Sequence, residues 1–205
     1  MKRFMVLLIL IAASVSAGAA TPVILVFGDS ISAGYGIDHA AAQGWVALLQ
    51  TKLKIEGYGY QVVNASVSGE TTAGGLARLP RALQLHRPRI VILELGGNDG
   101  LRALPVGQMR DNLARMVELS TAAGARVVLL GMRIPPNYGP EFTEQFRLAF
   151  SEVARDKKLP LIPFVLNDIA MNPRLMQADG FHPNELGQPK LLDNVWPTLR
   201  PILRK

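Results

Sequence analysis

Five short apolar runs alternate along the chain with segments in which apolar residues recur every three or four positions. Continuous apolar runs are typical of strands buried on both faces of a parallel sheet. The runs are "PVILVF", "YQVVNAS", "IVILEL", "ARVVLLGM" and "LPLIPFVL", at residues 22–27, 60–66, 90–95, 125–132 and 159–166. Their alternation with helical segments predicts a three-layer α/β domain with a five-stranded parallel sheet and right-handed crossovers.

Five segments between and after these runs carry an apolar stripe at helical spacing. Such stripes are the faces of helices that pack against a core. The stripes include Leu49, Leu79, Leu113, Phe146 and Val195. Because proline lacks a backbone N–H, Pro197 predicts an interruption of the last helix. No repeat, low-complexity segment or long linker divides residues 21–205, so we predict one domain there.

Polar residues follow four of the predicted strands. Ser30 follows the first in "FGDSISAGYG", Gly69 the second in "NASVSGETT", and Asn98 the third in "GGND". Asp179 and His182 lie beyond the fifth strand, in "DGFHPNELGQ". The carboxyl ends of parallel strands meet at one edge of a sheet, where ligands bind in open α/β folds. We therefore expect these residues to converge at that edge.

The hydroxyl of Ser30 is a candidate nucleophile. A serine becomes nucleophilic when a base takes its proton, and the base works best when a third group fixes its tautomer. His39 and His86 lie in polar segments where solvation explains them, which leaves His182 as the candidate base. Asp179, three residues earlier, can fold its carboxylate back to the imidazole; a local turn-forming hydrogen bond is the alternative for Asp179.

Other chemistries lack their sequence motifs. The chain has no nucleophile elbow G-x-S-x-G, no phosphate-binding G-x-x-x-x-G-K-[ST], no dinucleotide-binding G-x-G-x-x-G and no zinc-binding H-E-x-x-H. With three histidines and no cysteine, we expect neither a metal nor a cofactor. The 22 basic residues exceed the 16 acidic ones but are scattered, so we expect no nucleic-acid partner.

Residues 1–20, "MKRFMVLLILIAASVSAGAA", have the composition of a signal peptide. Lys2 and Arg3 precede an apolar run that is too short to span a bilayer, and small residues follow it. We predict cleavage after Ala19 or Ala20, a mature protein in the periplasm or the medium, and no stable membrane anchor. An uncleaved amphipathic anchor is the alternative. Without cysteine, no lipid can be attached to an N-terminal Cys.

The four blocks resemble those of the GDSL or SGNH hydrolases, a family named for its Ser, Gly, Asn and His residues. The resemblance covers nearly all of residues 21–205 and implies a flavodoxin-like fold. It implies Ser30 as nucleophile, His182 as base and Asp179 as the residue that orients His182. It also implies an oxyanion hole formed by the backbone N–H groups of Ser30 and Gly69 and by the Asn98 amide. We expect glycine at 69 because a missing side chain lets the N–H approach a carbonyl closely.

The resemblance further implies hydrolysis of carboxylic esters and thioesters through an acyl-enzyme. Expected substrates are aryl esters, lysophospholipids and acyl thioesters of medium or long chain, and a monomer is expected. In relatives, the loops corresponding to residues 100–105 and 133–142 shape an acyl-chain groove. Leu101, Leu104, Pro136 and Tyr138 are therefore candidate walls of the substrate site, with simple loop packing as the alternative.

Two other functions are compatible with the same fold. One is a carbohydrate acetylesterase, against which the apolar loops argue. The other is a non-catalytic module that binds lipid or glycan, against which the joint presence of Ser30, Asp179 and His182 argues. Asp29 and Asp99 are interpreted as turn residues that support the loops and not as acids in the reaction.

Overall fold

A single parallel sheet forms the centre of the computed structural model, which describes residues 21–205. The predicted signal peptide, residues 1–20, lies outside the described residues. The strands are β1 Val23–Gly28, β2 Gln61–Asn64, β3 Ile90–Glu94, β4 Arg126–Leu130 and β5 Leu161–Ile162. All pairings are parallel and the order is β2-β1-β3-β4-β5. The predicted five-stranded, flavodoxin-like sheet is confirmed.

Helices cover both faces of the sheet. They are α1 Ser30–Ala33, α2 Ala40–Gln43, α3 Trp45–Ile55, α4 Thr72–His86, α5 Gly97–Leu101, α6 Val106–Ala122, α7 Pro140–Lys157 and α8 Gly187–Leu199, with 3-10 helices at Pro136–Tyr138 and Arg200–Ile202. Helix α6 packs between α4 and α7, and α3 packs against α8. Within residues 21–205, no helix combines the length and the apolar character needed to cross a membrane.

The core consists of the central strands and the predicted helical stripes. The side chains at positions 24–27 of β1 and 90–93 of β3 are buried, whereas the edge strand β2 is partly exposed. Leu49, Leu79, Leu113, Phe146 and Val195 are each 0 % exposed. The helical periodicity therefore identified the buried face of each long helix, and burial of this apolar surface is the main force that holds the layers together.

Two elements differ most from the prediction. Strand β5 has two residues instead of eight, because Pro160 and Pro163 flank it and proline cannot donate to a sheet ladder. Pro197 does not interrupt α8, which continues to Leu199. Pro197 and Asp193 both lie on the exposed face of α8, so the Asp193 carbonyl that loses its helical partner faces solvent.

Candidate active site

Ser30 lies where the chain leaves β1 and begins α1. The carboxylate of Asp29 caps this short helix by accepting a hydrogen bond from the Ile31 N–H at 3.1 Å. Gly34, with φ of 76°, ends the helix after one turn. The strand exit and the tight helix together hold the Ser30 hydroxyl at the carboxyl edge of the sheet, where it is half-buried and reachable from outside.

A single turn after residue 176 brings Asp179 and His182 to Ser30. Asp179 Oδ1 accepts hydrogen bonds from the backbone N–H groups of Phe181 at 2.9 Å and His182 at 3.1 Å. Its Oδ2 lies 2.6 Å from His182 Nδ1, and His182 Nε2 lies 2.8 Å from Ser30 Oγ. The carboxylate, imidazole and hydroxyl therefore form one continuous hydrogen-bonded chain, in the order that serine hydrolysis requires.

Gln177 joins the turn that carries His182 to the loop that follows Ser30. Its side-chain amide donates to the Tyr35 carbonyl at 2.7 Å and to the Pro183 carbonyl at 3.0 Å, and its backbone N–H donates to the His182 carbonyl at 2.8 Å. The Tyr35 ring packs against the imidazole with 4.7 Å between centroids. Sequence reasoning missed both Gln177 and Tyr35, because neither belongs to a catalytic motif.

The charge on Asp179 fixes the tautomer of His182. Partial burial acts to raise the pKa of Asp179, but the hydrogen bonds from the His182 ring and from the Phe181 and His182 backbone outweigh it and lower the pKa. An ionised carboxylate accepts only, so the hydrogen on the facing imidazole nitrogen belongs to Nδ1. Nε2 is then free to accept the Ser30 proton.

Gly69 and Asn98 lie beside Ser30 on the same cavity wall. Gly69 has φ of +78°, and an added Cβ would meet only the Arg102 guanidinium, at 3.8 Å. Glycine therefore suits this position for its left-handed backbone, and the close approach of its N–H to a substrate carbonyl stays a prediction. Arg102 donates to the Gly69 carbonyl at 3.0 Å. Within residues 21–205 no hydrogen bond engages the N–H of Ser30 or Gly69, so both are available to a ligand.

Asp29 holds the side chain of Asn98. The Asn98 amide donates one hydrogen to Asp29 Oδ2 at 3.1 Å, which leaves its second hydrogen for a ligand. Burial raises the pKa of Asp29 to about 6, although the Ile31 N–H and Asn98 hydrogen bonds act to lower it. Asp29 thus does more than support a turn, since it also orients a candidate oxyanion donor.

Asp99 supports the loops, as its sequence context indicated. It is buried, and it accepts hydrogen bonds from the Thr72 N–H at 2.8 Å and the Thr72 hydroxyl at 2.5 Å. The Asn112 amide donates to the same hydroxyl at 3.1 Å. These bonds join α5, which carries Asn98, to the start of α4, which follows the Gly69 loop.

The candidate catalytic residues open into a cavity of about 590 Å³. Of the predicted wall residues, Leu101 and Pro136 line this cavity, but Leu104 and Tyr138 do not. Tyr138 lies behind the wall, where its hydroxyl donates to the Leu101 carbonyl at 2.7 Å and its ring stacks on Phe142. Leu104 is 37 % exposed and lies outside the cavity. The assignment of these two residues to the wall needs correction.

Most of the apolar wall was not predicted. It is formed by Ile31, Met132, Ile134, Pro135, Phe164, Leu166, Ala170, Met171, Met176 and Phe181. Phe164 and Leu166 fall in the run interpreted as the fifth strand, which ends earlier than expected. The proline on either side of Leu161–Ile162 was the available signal that this part of the run leaves the sheet. In the part of the chain that the structure describes, no three His, Asp or Glu residues group as a metal site.

Residues 26–189 match the model of the GDSL-like lipase/acylhydrolase family. The chain is 54 % identical over 185 residues to esterase TesA of Pseudomonas aeruginosa, covering 90 % of this chain and 91 % of TesA. It is 41 % identical over 185 residues to thioesterase 1/protease 1/lysophospholipase L1 of Escherichia coli K12, covering 90 % and 86 % of the two chains. A crystal structure of TesA superposes with a TM-score of 0.85 at 54 % identity, over 87 % of this chain and 98 % of that one.

Proposed function

The chain belongs to the GDSL-like lipase/acylhydrolase family and is an SGNH-type ester hydrolase, and on that premise we propose that it cleaves carboxylic esters and thioesters through an acyl-enzyme on Ser30. One observation carries the proposal. The Asp179–His182–Ser30 chain of hydrogen bonds ends at a hydroxyl that faces an apolar cavity.

The proposed reaction begins when Ser30 Oγ attacks the carbonyl carbon of the substrate while its proton passes to His182 Nε2. Asp179 stabilises the resulting imidazolium and keeps the ring oriented. His182 then gives the proton to the leaving alcohol or thiol, which leaves an acyl ester on Ser30. A water molecule, activated by the same imidazole, attacks the acyl ester and releases the carboxylic acid.

Three donors are placed to stabilise the oxyanion of the tetrahedral intermediate. They are the N–H groups of Ser30 and Gly69 and the free hydrogen of the Asn98 amide. In the described part of the chain no other hydrogen bond engages the two backbone groups, which supports this role. Donors fixed before the reaction need no reorganisation when charge develops, and losing one typically costs about 2.7–4 kcal/mol.

The apolar wall supports acyl groups longer than acetyl as the proposed substrates. Burying each additional methylene contributes about 0.8 kcal/mol, close to a fourfold gain, as long as the chain stays within the cavity. Lysophospholipids and medium or long acyl thioesters carry such an apolar acyl group, and aryl esters have a carbonyl that is activated by a good leaving group. A strict preference for acetyl esters would instead indicate the carbohydrate acetylesterase.

The proposal is tested by kinetics on p-nitrophenyl esters from C2 to C12, an acyl-CoA and a lysophospholipid. We expect kcat/KM to rise with acyl length and to fall by about 10⁴-fold or more in Ser30→Ala. Ile134→Ala should flatten the length dependence, whereas Leu104→Ala, outside the cavity, should not. Retention of a tenth of the activity in Ser30→Ala would overturn the mechanism.

We also propose that a signal peptide is cleaved after Ala19 or Ala20 and that residues 21–205 form the hydrolase domain, a monomer in the periplasm or the medium without a stable membrane anchor. The composition of residues 1–20 supports this. Mass analysis of the exported protein should find Ala20 or Thr21 at its N-terminus, and light scattering should give the mass of one chain. Met1 on the exported protein would contradict the cleavage.

A further inference from the structure

Glu94 is a buried acid to which the proposed mechanism gives no role. It is the last residue of β3, paired with Gly28 of β1, and its side chain is 0 % exposed. Within residues 21–205 it forms no ion pair with a lysine, arginine or histidine. Burying a carboxyl without a cation is costly, and a stretch of strand with no other polar residue offers no packing reason for it.

The carboxyl of Glu94 lies directly beneath the turn that presents Ser30. Its Oε2 accepts hydrogen bonds from the Ser32 hydroxyl at 2.7 Å and from the Asp29 N–H at 3.3 Å. A Cβ on Gly28 would lie 2.5 Å from the same oxygen, so only glycine leaves room for the carboxyl there. Glu94 thus binds the residues on both sides of Ser30 from a rigid central strand.

The contacts of Asp29 extend this support to the oxyanion hole. Asp29 is bound at its N–H by Glu94, and its carboxylate accepts the hydrogen bond that orients the Asn98 amide. We infer that Glu94 is a positioning residue, which fixes Asp29 and Ser32 so that the Ser30 N–H and the Asn98 amide stay aimed at one point. The inference rests on the proposed function, because it assigns Asn98 to the oxyanion hole.

The surroundings of Glu94 favour its neutral form. Burial raises the pKa of Glu94 well above its usual range, and the neighbouring Asp29 carboxylate raises it further. Asp29 is the one charged group that faces it from β1 and α1, and Ser32 is the other polar side chain there. Repulsion between the two negative charges disfavours ionisation of both carboxyls, and the Asn98 and Ile31 donors favour the charge on Asp29 over Glu94.

Three variants and a control test the inference by steady-state kinetics. Glu94→Leu removes the acceptor and should lower kcat by about 10²-fold, near the cost of losing one oxyanion donor, with KM changed less than threefold. Glu94→Gln keeps a neutral acceptor and should restore at least a third of kcat. Ser32→Ala removes one of the two bonds and should lower kcat by about three- to tenfold.

Ser120→Ala is the matched control for Ser32→Ala. Both serines are buried and each donates one hydrogen bond, from Ser120 to the Met116 carbonyl at 2.8 Å within α6. We expect Ser120→Ala to lower the midpoint of urea unfolding without changing kcat. The infrared difference between wild type and Glu94→Gln at neutral pH should contain the carbonyl band of a protonated carboxylic acid.

The outcomes are distinct. Wild-type kcat in folded Glu94→Leu, or equal effects of Ser32→Ala and Ser120→Ala on kcat, would overturn the positioning role. If Glu94→Leu does not fold, Glu94→Gln and Ser32→Ala decide the question. A kcat as low in Glu94→Gln as in Asn98→Ala, or a carboxylate band in the infrared difference, would overturn the neutral state. Ser30→Ala, measured alongside, reports on the proposed function itself, since full activity there would overturn that function whatever the Glu94 variants do.

Discussion

Ser30 lies between two carboxylates in opposite surroundings. Asp179 lies at the surface, where hydrogen bonds from His182 and the backbone lower its pKa against the effect of partial burial. Asp29 is buried, and burial raises its pKa to about 6 despite its two donors. In the proposed mechanism, the exposed carboxylate stabilises the charge that forms on His182, whereas the buried one holds the Asn98 amide in place. The proposed mechanism thus uses the Asp179 side of Ser30 for proton transfer and the Asp29 side for the oxyanion hole.

Replacing His182 or Asp179 should have the largest effect. We expect His182→Ala to lower kcat by about 10⁴-fold or more, and Asp179→Asn to lower it by less, because the base is then misoriented and not lost. The two losses should not add in the double variant. Thermal unfolding of each variant checks that the fold persists. An unchanged rate in Asp179→Asn would reduce Asp179 to a turn residue.

On the buried side, Asp29→Ala frees the Asn98 amide from its anchor. We predict a loss of about 10²-fold in kcat with a small change in KM, within the range for one oxyanion donor. Asn98→Ala should lower kcat by about the same factor. The double variant should lower it little further, since both changes remove the same donor, the Asn98 amide. Fully additive losses, measured by steady-state kinetics, would mean that Asp29 acts on something other than Asn98.

The two carboxylates should affect stability with opposite dependence on pH. The pKa of Asp29 is raised from 3.8 to about 6 in the folded protein, so protonated Asp29 stabilises the fold at low pH. This stabilisation is lost as the pH rises through this window. Asp29→Asn should therefore gain stability relative to wild type across it, by at most about 3 kcal/mol. The pKa of Asp179 is lowered in the folded protein, so Asp179 stabilises the fold at a pH above its unfolded pKa. This stabilisation is lost as the pH falls through the folded pKa.

Urea unfolding of wild type, Asp29→Asn and Asp179→Asn between pH 3 and 8 measures both signs. Asp179→Asn should be less stable than wild type at neutral pH, and this difference in unfolding free energy should shrink as the pH falls. Asp29→Asn should be more stable than wild type at neutral pH, and that difference should also shrink as the pH falls. Parallel curves for the two variants would remove the contrast between the two sides of Ser30.

The smallest effect is expected at Gln177, which joins the exposed turn to the loop after Ser30. Gln177→Leu should lower kcat by about tenfold, because His182 then samples positions away from Ser30 Oγ. Gln145→Leu on the exposed face of α7 is the control and should stay within twofold of wild type. Equal rates in the two variants would show that Asp179 alone is enough to place His182.

Sequence periodicity and strand exits were sufficient for the fold. Apolar runs placed β1 and β3, and helical spacing picked the buried residues of α3 and α6, because burial in a parallel sheet imposes these patterns. The family was equally readable, since its blocks are local. The main errors concerned proline. Pro197 was predicted to interrupt the last helix but does not, and Pro163 was not used to predict the end of the fifth strand.

The buried contacts beneath Ser30 could not be predicted from the sequence in the same way. Glu94 is a single polar residue in an apolar run, and its hydrogen bond from Ser32 joins residues 62 positions apart in the sequence. The link from Asp29 to Asn98 spans 69 positions. Leu104 and Tyr138 have the composition of a groove wall, but their placement depends on how the loops pack. Long-range contacts of this kind leave no local signal in a single sequence.

Ser30 carries the acyl group in the proposed mechanism, and covalent trapping tests this assignment most directly. A p-nitrophenyl alkylphosphonate should react once per chain, and peptide mass analysis should find the adduct on Ser30. Ser30→Ala should not react, and Asp29→Ala should react slowly because the phosphonyl oxygen uses the same oxyanion donors. Full inactivation with the adduct on another residue, or undiminished hydrolysis after Ser30 is fully labelled, would contradict the account.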